Sequence, residues 1–192
     1  MFNKRKEKGA LISLGILFFL VYSWFGIVTP TIFNSPDETA NYFFINRYAT
    51  NGDFFVAEPL NNFLNNQLHP RSISFNGYSL VPQGFIGLSW FYGFLVKIFP
   101  LAALKFFTPA LAILAALAFY WIIKKVFDRK TALVSYVLLL LLPPYWYYAS
   151  RFLYPNVPFV SLLIIAGWAL LNGAVEKDKK KIYTIIFAVA SA

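Results

Sequence analysis

The chain has 192 residues, of which 59% are hydrophobic and only 13% are charged. Soluble domains carry about a quarter charged residues, so the composition excludes an ordinary soluble enzyme and predicts an all-α integral membrane protein. The chain contains no cysteine and a single histidine, which excludes a disulfide framework and a thiolate or His-rich metal site. The net charge of +9 lies in short clusters beside apolar runs, a pattern that indicates membrane topology and argues against a nucleic-acid partner.

The apolar runs predict a multi-pass helical bundle. We expect spans over about residues 10–28, 101–123, 131–149 and 157–174, and the start of a fifth over 182–192. No small-residue cleavage site follows the first run, so we interpret it as a retained helix and not as a signal peptide. The last run is cut off by the end of the sequence. We therefore expect residues 1–192 to form a single transmembrane domain that is the N-terminal part of a longer protein.

Charge predicts the orientation of these spans. Segment 83–99 is apolar but short, and it is rich in Gly and aromatic residues. If it does not span, twelve of the seventeen Lys and Arg residues lie on the cytoplasmic side, whereas only seven do if it spans. Cytoplasmic loops are expected to be the basic ones. We therefore predict a cytoplasmic N-terminus in the plasma membrane, an extracytoplasmic first loop over 29–100, and a juxtamembrane interfacial helix at about 83–99.

The first loop carries an acidic pair, Asp37 and Glu38, soon after the first span. Ser35 is a typical N-cap, Pro36 suits the first helical position, and Glu38 stands three residues after the cap, so the segment reads as a capping box. An acid at the outer membrane surface can also act as a general base on a substrate that meets a lipid-borne partner. The two interpretations are compatible, because a capped helix mounts Asp37 rigidly.

Other polar residues have weaker patterns. Asp53 and Glu58 are either loop acids or members of a second acidic or metal site. His69 stands beside Pro70 and Arg71, in a turn or in a catalytic or phosphate-binding role. Arg151 follows the third span, where it either snorkels to the interface or binds phosphate oxygens through its guanidinium. No cofactor motif is present, and divalent metal dependence stays open.

In this order, the motifs resemble the GT-C superfamily of membrane glycosyltransferases. The similarity is to the protein O-mannosyltransferases, the lipid A aminoarabinose transferases and the RgtA/B/C/D-like group. The segments that carry it are Asp37–Glu38, Val81–Gly84 with the apolar stretch after it, the basic turn Lys124–Lys130, and Ser150–Phe152. Val81–Gly84 resembles the proline that precedes a juxtamembrane helix in these families, and His69–Pro70 is a second candidate for that proline motif. Such families often have an acid five residues after the Arg, where this chain has Asn156.

The resemblance implies a glycosyltransferase that moves a sugar from a polyprenyl-phosphate donor to a hydroxyl of a protein, lipid or glycan acceptor on the extracytoplasmic side, with inversion. It implies catalytic roles for Asp37, as the base, and for the neighbouring Glu38. Arg151, His69 and Asn156 are the expected substrate-binding residues. Membrane lipids are the other expected partners.

Three other functions remain open at this stage. One is a transporter or flippase of lipid-linked oligosaccharides, although such proteins usually place ionisable residues within their spans. The second is a polysaccharide polymerase, and the third is a membrane anchor without catalysis.

Overall fold

The computed structural model describes residues 4–29, 33–65, 67–175 and 180–191. Its helices and strands are α1 (Lys4–Val28), α2 (Pro36–Asn51), β1 (Val56–Ala57), β2 (Ile73–Phe75), β3 (Ser79–Pro82), α3 (Ile86–Ile98), α4 (Leu104–Val126), α5 (Arg129–Leu141), α6 (Pro143–Ser150), α7 (Asn156–Val175) and α8 (Lys180–Ser191). Short 3-10 turns cover Pro59–Asn62 and Leu101–Ala103. The described chain is predominantly helical and its strands are short, which confirms the predicted all-α membrane fold class.

Three helical segments are long and apolar enough to cross a membrane: Lys6–Val28, Leu101–Val126 and Asn156–Val175. The pair α5 and α6 provides a fourth if it forms one bent span. The apolar helix α3 lies within the segment predicted to be interfacial, and α8 covers most of the last predicted run. Lys177 and Lys179 of the last basic cluster lie outside the described residues, as does Ala192.

Contacts divide the chain into two compact units. The helical unit comprises Met1–Val28, Thr108–Phe152 and Asn156–Ala192, and the loop unit comprises Thr29–Phe107 and Leu153–Pro155. The sequence prediction treated the chain as one membrane domain. The second unit forms because the long first loop builds a small apolar core of its own.

Small residues and tyrosines form the centre of the helical unit. Ala112, Ala116 and Ala132 are fully buried in one core cluster with Tyr22 and Tyr136. The buried hydroxyl of Tyr136 donates a hydrogen bond to the Leu11 carbonyl at 3.2 Å. Such bonds satisfy polar groups that an apolar surrounding would otherwise leave unpaired.

The third predicted span is broken by consecutive prolines. Helices α5 and α6 meet at an angle of 55° at Leu142. Neither Pro143 nor Pro144 has an N–H, so the carbonyls four residues earlier lose their helical donors. Leu139 accepts from the Leu142 N–H at 3.3 Å, and Leu140 accepts from the hydroxyl of Tyr22 at 2.6 Å. The bend therefore leaves neither carbonyl unpaired.

An ionic cluster around a buried carboxylate joins three helices of the helical unit. Glu7 in α1 is only 8% exposed, and its carboxylate accepts hydrogen bonds or ion pairs from Lys124 and Arg129, each at 2.8 Å. The Tyr120 hydroxyl donates to the same carboxylate. Lys124 and Arg129 of the predicted cytoplasmic turn thus both pair with Glu7 of the N-terminal segment. These pairs offset the free-energy cost of burying the charge of Glu7.

The loop unit contains a three-stranded antiparallel sheet in the order β1-β3-β2. Ile73 and Leu80 of this sheet share an apolar cluster with Ala40 and Phe44 of α2. Helix α2 ends at Gly52, whose left-handed backbone (φ 81°) suits glycine and whose N–H bonds to the Tyr48 carbonyl at 3.0 Å. The sequence analysis predicted a long loop with juxtamembrane helices here and no strands, because strands of two to four residues are too short to show alternation.

Candidate active site

Asp37 lies in the first turn of α2, whose start is fixed by the two residues before it. Ser35 has an extended backbone (φ −131°), and its Oγ accepts a hydrogen bond from the Asp37 N–H at 3.1 Å. Pro36 occupies the first helical position, where its missing N–H costs nothing. The side chain of Asp37 is exposed. The local sequence therefore mounts this carboxylate at a rigid helix start that faces solvent.

Glu38 has the opposite environment. It is 2% exposed, and its Oε2 accepts a hydrogen bond from the Asn34 N–H at 3.3 Å, one residue before the N–H that a capping box engages. Successive helical residues are about 100° apart around the axis, so neighbouring acids can face solvent and core. The pair thus consists of one accessible and one buried carboxylate.

Asp37 lines a polar pocket of about 300 Å³ in the loop unit. The other lining residues are Arg71, Ser72, Gln83 and Gly84. The Ser72 hydroxyl donates a hydrogen bond to Asp37 Oδ1. The pocket therefore combines a carboxylate, a guanidinium, an amide and a hydroxyl, which can hold a polar substrate and accept a proton from it.

Two loops meet at this pocket because β2 and β3 are paired. Ile73 opposes Pro82 in the antiparallel register, so Ser72 and Gln83, the residues flanking this pair, leave the sheet at the same end. Before β2, the Ile73 N–H bonds to the Pro70 carbonyl at 3.1 Å and closes a turn. The sheet thus brings residues that are 35 and 46 positions from Asp37 in sequence to the start of α2.

Both candidate proline motifs, His69–Pro70 and Val81–Gly84, are followed by or contain residues that line this pocket. Pro70 is followed by Arg71 and Ser72, and Pro82 by Gln83 and Gly84. Sequence analysis singled out both segments but gave no role to Ser72. A serine in a loop carries no local signal for a contact with an acid 35 positions away.

His69 was expected to bind substrate. It is exposed, and its backbone N–H bonds to the Gln67 carbonyl at 3.1 Å. Among the residues described in the loop unit, the pocket is lined by Arg71 and not by His69. The role predicted for His69 remains a prediction.

Arg151 belongs to the helical unit. It caps the C-terminus of α6, is only 5% exposed, and holds its guanidinium carbon 5.3 Å from the centroid of the Phe25 ring. That distance suits a cation–π contact. The role predicted for Arg151 in binding phosphate remains a prediction.

Asn156 is the exposed first residue of α7 and also belongs to the helical unit. The five predicted site residues are therefore divided, with Asp37, Glu38 and His69 in the loop unit. Between Arg151 and Asn156, the chain passes through the loop unit, where the Asn41 amide of α2 donates to the Leu153 carbonyl at 2.8 Å.

The remaining acids of the first loop have structural contacts. Asp53 accepts hydrogen bonds from Arg47 Nε and the Phe55 N–H, each at 3.0 Å. The Arg47 bond, followed by the Phe55 bond, holds the pKa of Asp53 below its usual value. Glu58 caps the 3-10 turn through the Leu60 N–H at 3.3 Å. In the described ranges, no three His, Cys, Asp or Glu side chains come together as metal ligands.

Comparison with known proteins identifies the family. Residues 83–192 match the family described as dolichyl-phosphate-mannose-protein mannosyltransferase. The match runs from Gln83 through α8 and includes Arg151 and Asn156, whereas Asp37, Glu38 and His69 precede it. No curated protein and no solved structure matches the chain. Because the match covers more than half of the sequence, the chain belongs to the dolichyl-phosphate-mannose-protein mannosyltransferase family, a family of membrane glycosyltransferases of the GT-C type.

Proposed function

We propose that this protein transfers a sugar, mannose in the first instance, from a polyprenyl-phosphate donor to an acceptor hydroxyl, with inversion and with Asp37 as the general base. The observation that carries the proposal is the exposed carboxylate of Asp37 in a polar pocket with Arg71 and Ser72. The family supplies the class of donor, since its name refers to a lipid-phosphate-linked mannose.

In the proposed reaction, the acceptor oxygen attacks C1 of the sugar while its proton passes to Asp37. The bond between C1 and the phosphate oxygen breaks, and its electron pair leaves with the polyprenyl phosphate. Attack from the opposite face inverts the anomeric centre. Asp37 then returns the proton to solvent, to which it is exposed.

Charge develops on the departing phosphate, and cations stabilise it. Arg71 supplies one guanidinium inside the pocket itself. Arg151 of the helical unit remains a proposed substrate-binding residue, since a guanidinium binds phosphate oxygens in bidentate fashion. His69 and Asn156 remain proposed substrate contacts.

We further propose that the chain lies in the plasma membrane as one transmembrane module, with the N-terminus in the cytoplasm. Segment 29–100 then faces the extracytoplasmic side, with α3 along the interface. The support is the distribution of charge: twelve of the seventeen basic residues lie on the cytoplasmic side in this arrangement. The pocket with Asp37 is thereby accessible to acceptors of protein, lipid or glycan type from outside.

Replacement of Asp37 in the full-length protein tests the proposal. Asp37→Asn keeps an oxygen that can accept from Ser72 but cannot take up a proton. We expect kcat to fall by at least about a hundredfold, because general-base catalysis contributes about 10²–10⁴-fold. The assay follows radiolabel from polyprenyl-phosphate mannose into a Ser/Thr-rich peptide in nanodiscs, with thermal unfolding measured in parallel.

Glu38→Gln is the matched control, because it also replaces an acid by an amide and keeps an oxygen for the Asn34 N–H. Its turnover should be much less affected. Near-normal turnover of Asp37→Asn would remove the catalytic role of Asp37 and leave the motif as a helix cap. Failure of the wild-type protein to release mannose from this donor would contradict the donor class.

A further inference from the structure

We infer that Ser72 is a positioning residue for Asp37: its hydroxyl holds one carboxylate oxygen so that the other is aimed at the acceptor. The inference rests on the proposed function of Asp37. It begins with the contact itself, in which Ser72 Oγ donates to Asp37 Oδ1. With Oδ1 engaged, Oδ2 is the oxygen left for the proton of the acceptor.

An apolar core fixes the position of Ser72. The next residue, Ile73, is 8% exposed and packs in one cluster with Ala40 and Phe44. Both of these residues belong to α2, the helix that begins one residue before Asp37. Hydroxyl and carboxylate are therefore mounted on two elements that share a core, and their separation is set by packing.

The turn before β2 restrains Ser72 from the other side. Pro70 accepts the N–H of Ile73 at 3.1 Å, so the backbone on both sides of Ser72 is tied down. Ser72 itself has a left-handed backbone with φ 67°. Residues other than Gly, Asn and Asp rarely adopt this conformation, and they persist there only when the surrounding structure imposes it.

The residue type is informative for this reason. The left-handed conformation favours glycine, which would supply no hydroxyl. Serine is less stable than glycine in this left-handed conformation, but it provides a hydroxyl donor to Asp37, the exposed acid that lines the pocket. Backbone strain concentrates at functional sites, and this position combines strain with a contact to the proposed base.

Ser72→Gly in the full-length protein distinguishes the loss of the hydroxyl from a folding defect, because glycine adopts the left-handed backbone at this position more easily than serine. We expect kcat for transfer from polyprenyl-phosphate mannose to the Ser/Thr-rich peptide to fall on the order of tenfold, since small errors in the position of a catalytic group are costly. The donor KM and the melting temperature should change little. Ser72→Asn, which tolerates a left-handed backbone and carries an N–H donor, should recover part of the loss.

Asn65→Gly is the matched control. Asn65 also has a left-handed backbone in the loop unit, with φ 50°, and it does not line the pocket. Its replacement by glycine should leave kcat unchanged. A loss equal to that of Ser72→Gly would show that a glycine in this loop is harmful in itself, and would overturn the inference.

The double variant Asp37→Asn/Ser72→Gly gives the sharpest readout. If Ser72 acts only through the base, its removal should change kcat by less than about twofold once Asp37 cannot take a proton. A further tenfold loss in this background would overturn the inference, because a general structural effect would persist there.

Two failures can be told apart. Normal turnover of Ser72→Gly together with a strong loss in Asp37→Asn would overturn the positioning role and leave the proposed base intact. Normal turnover of Asp37→Asn alone would overturn the proposed function itself.

Discussion

Gly93 of α3 faces Tyr48 of α2 so closely that a Cβ built on the glycine would lie 2.8 Å from Tyr48 Cδ1 and 3.1 Å from the Ile45 carbonyl oxygen. The same tyrosine ring stacks on Phe54 and has the Lys97 ammonium 4.3 Å from its centroid. Gly93 therefore lets α3 pack directly against α2, the helix that carries Asp37.

We predict that Gly93→Ala destabilises the loop unit by about 1–3 kcal/mol, because the Ile45 carbonyl is backbone and cannot rotate away from the added methyl group. Thermal unfolding in detergent measures the effect. Gly87→Ala is the control in the same helix, where a Cβ meets nothing within 4 Å. It should stabilise by up to about 1 kcal/mol through helix propensity. Equal stability changes in the two variants would contradict the packing argument.

We predict that Asp53 contributes to the free energy of unfolding in a pH-dependent way. Hydrogen bonds from Arg47 and Phe55 lower its pKa in the folded state, so the folded protein binds the proton less readily than the unfolded chain. The contribution is therefore fully present above the unfolded pKa of about 3.9 and is lost as pH falls through the folded value.

We accordingly expect Asp53→Asn to lower the melting temperature slightly at neutral pH, with the difference from wild type shrinking below about pH 4. Arg47→Gln should behave alike, because it removes the partner, and the double variant should add little to either single change. A difference from wild type that is constant across the acid range would contradict the assigned cause.

Arg151→Lys should reduce kcat/KM for the polyprenyl-phosphate donor by about tenfold or more. The ammonium keeps the charge but cannot reproduce the bidentate fork of a guanidinium on phosphate oxygens. Phe25→Leu is the control, because it removes the ring on which the guanidinium lies and leaves Arg151 unchanged. Its effect on donor use should be smaller. Unchanged kcat and KM in Arg151→Lys would restrict this arginine to a structural role.

The proposed topology can be tested by labelling single cysteines, since the chain has none of its own. Asn51, at the exposed end of α2, should react with an impermeant reagent from outside intact cells. Phe127, which is 66% exposed in the turn after α4, should react only after the cells are opened. A cysteine at Phe127 also leaves the nearby ion pair between Arg129 and Glu7 intact. Labelling of both positions from the same side would contradict the topology.

The sequence by itself determined the features that depend on local chemistry. Long apolar runs gave the membrane helices, because lipid demands internally bonded backbone and apolar side chains over a fixed length. The Ser35–Pro36 start of α2 was predictable because a cap involves only neighbouring residues. Asp37 and the segment Val81–Gly84 were singled out as motifs without any knowledge of how they are placed.

Only the tertiary structure decided how these parts are used. It made Asp37 accessible and Glu38 buried, although both have the same charge and adjacent positions. It also supplied the Tyr22 hydroxyl as the hydrogen-bond donor to the Leu140 carbonyl, which loses its helical donor at a proline. It also placed Ser72 against Asp37 through the packing of Ile73 on α2. These contacts join residues far apart in the chain, and their geometry follows from how whole elements fill a shared core, which no short stretch of sequence encodes.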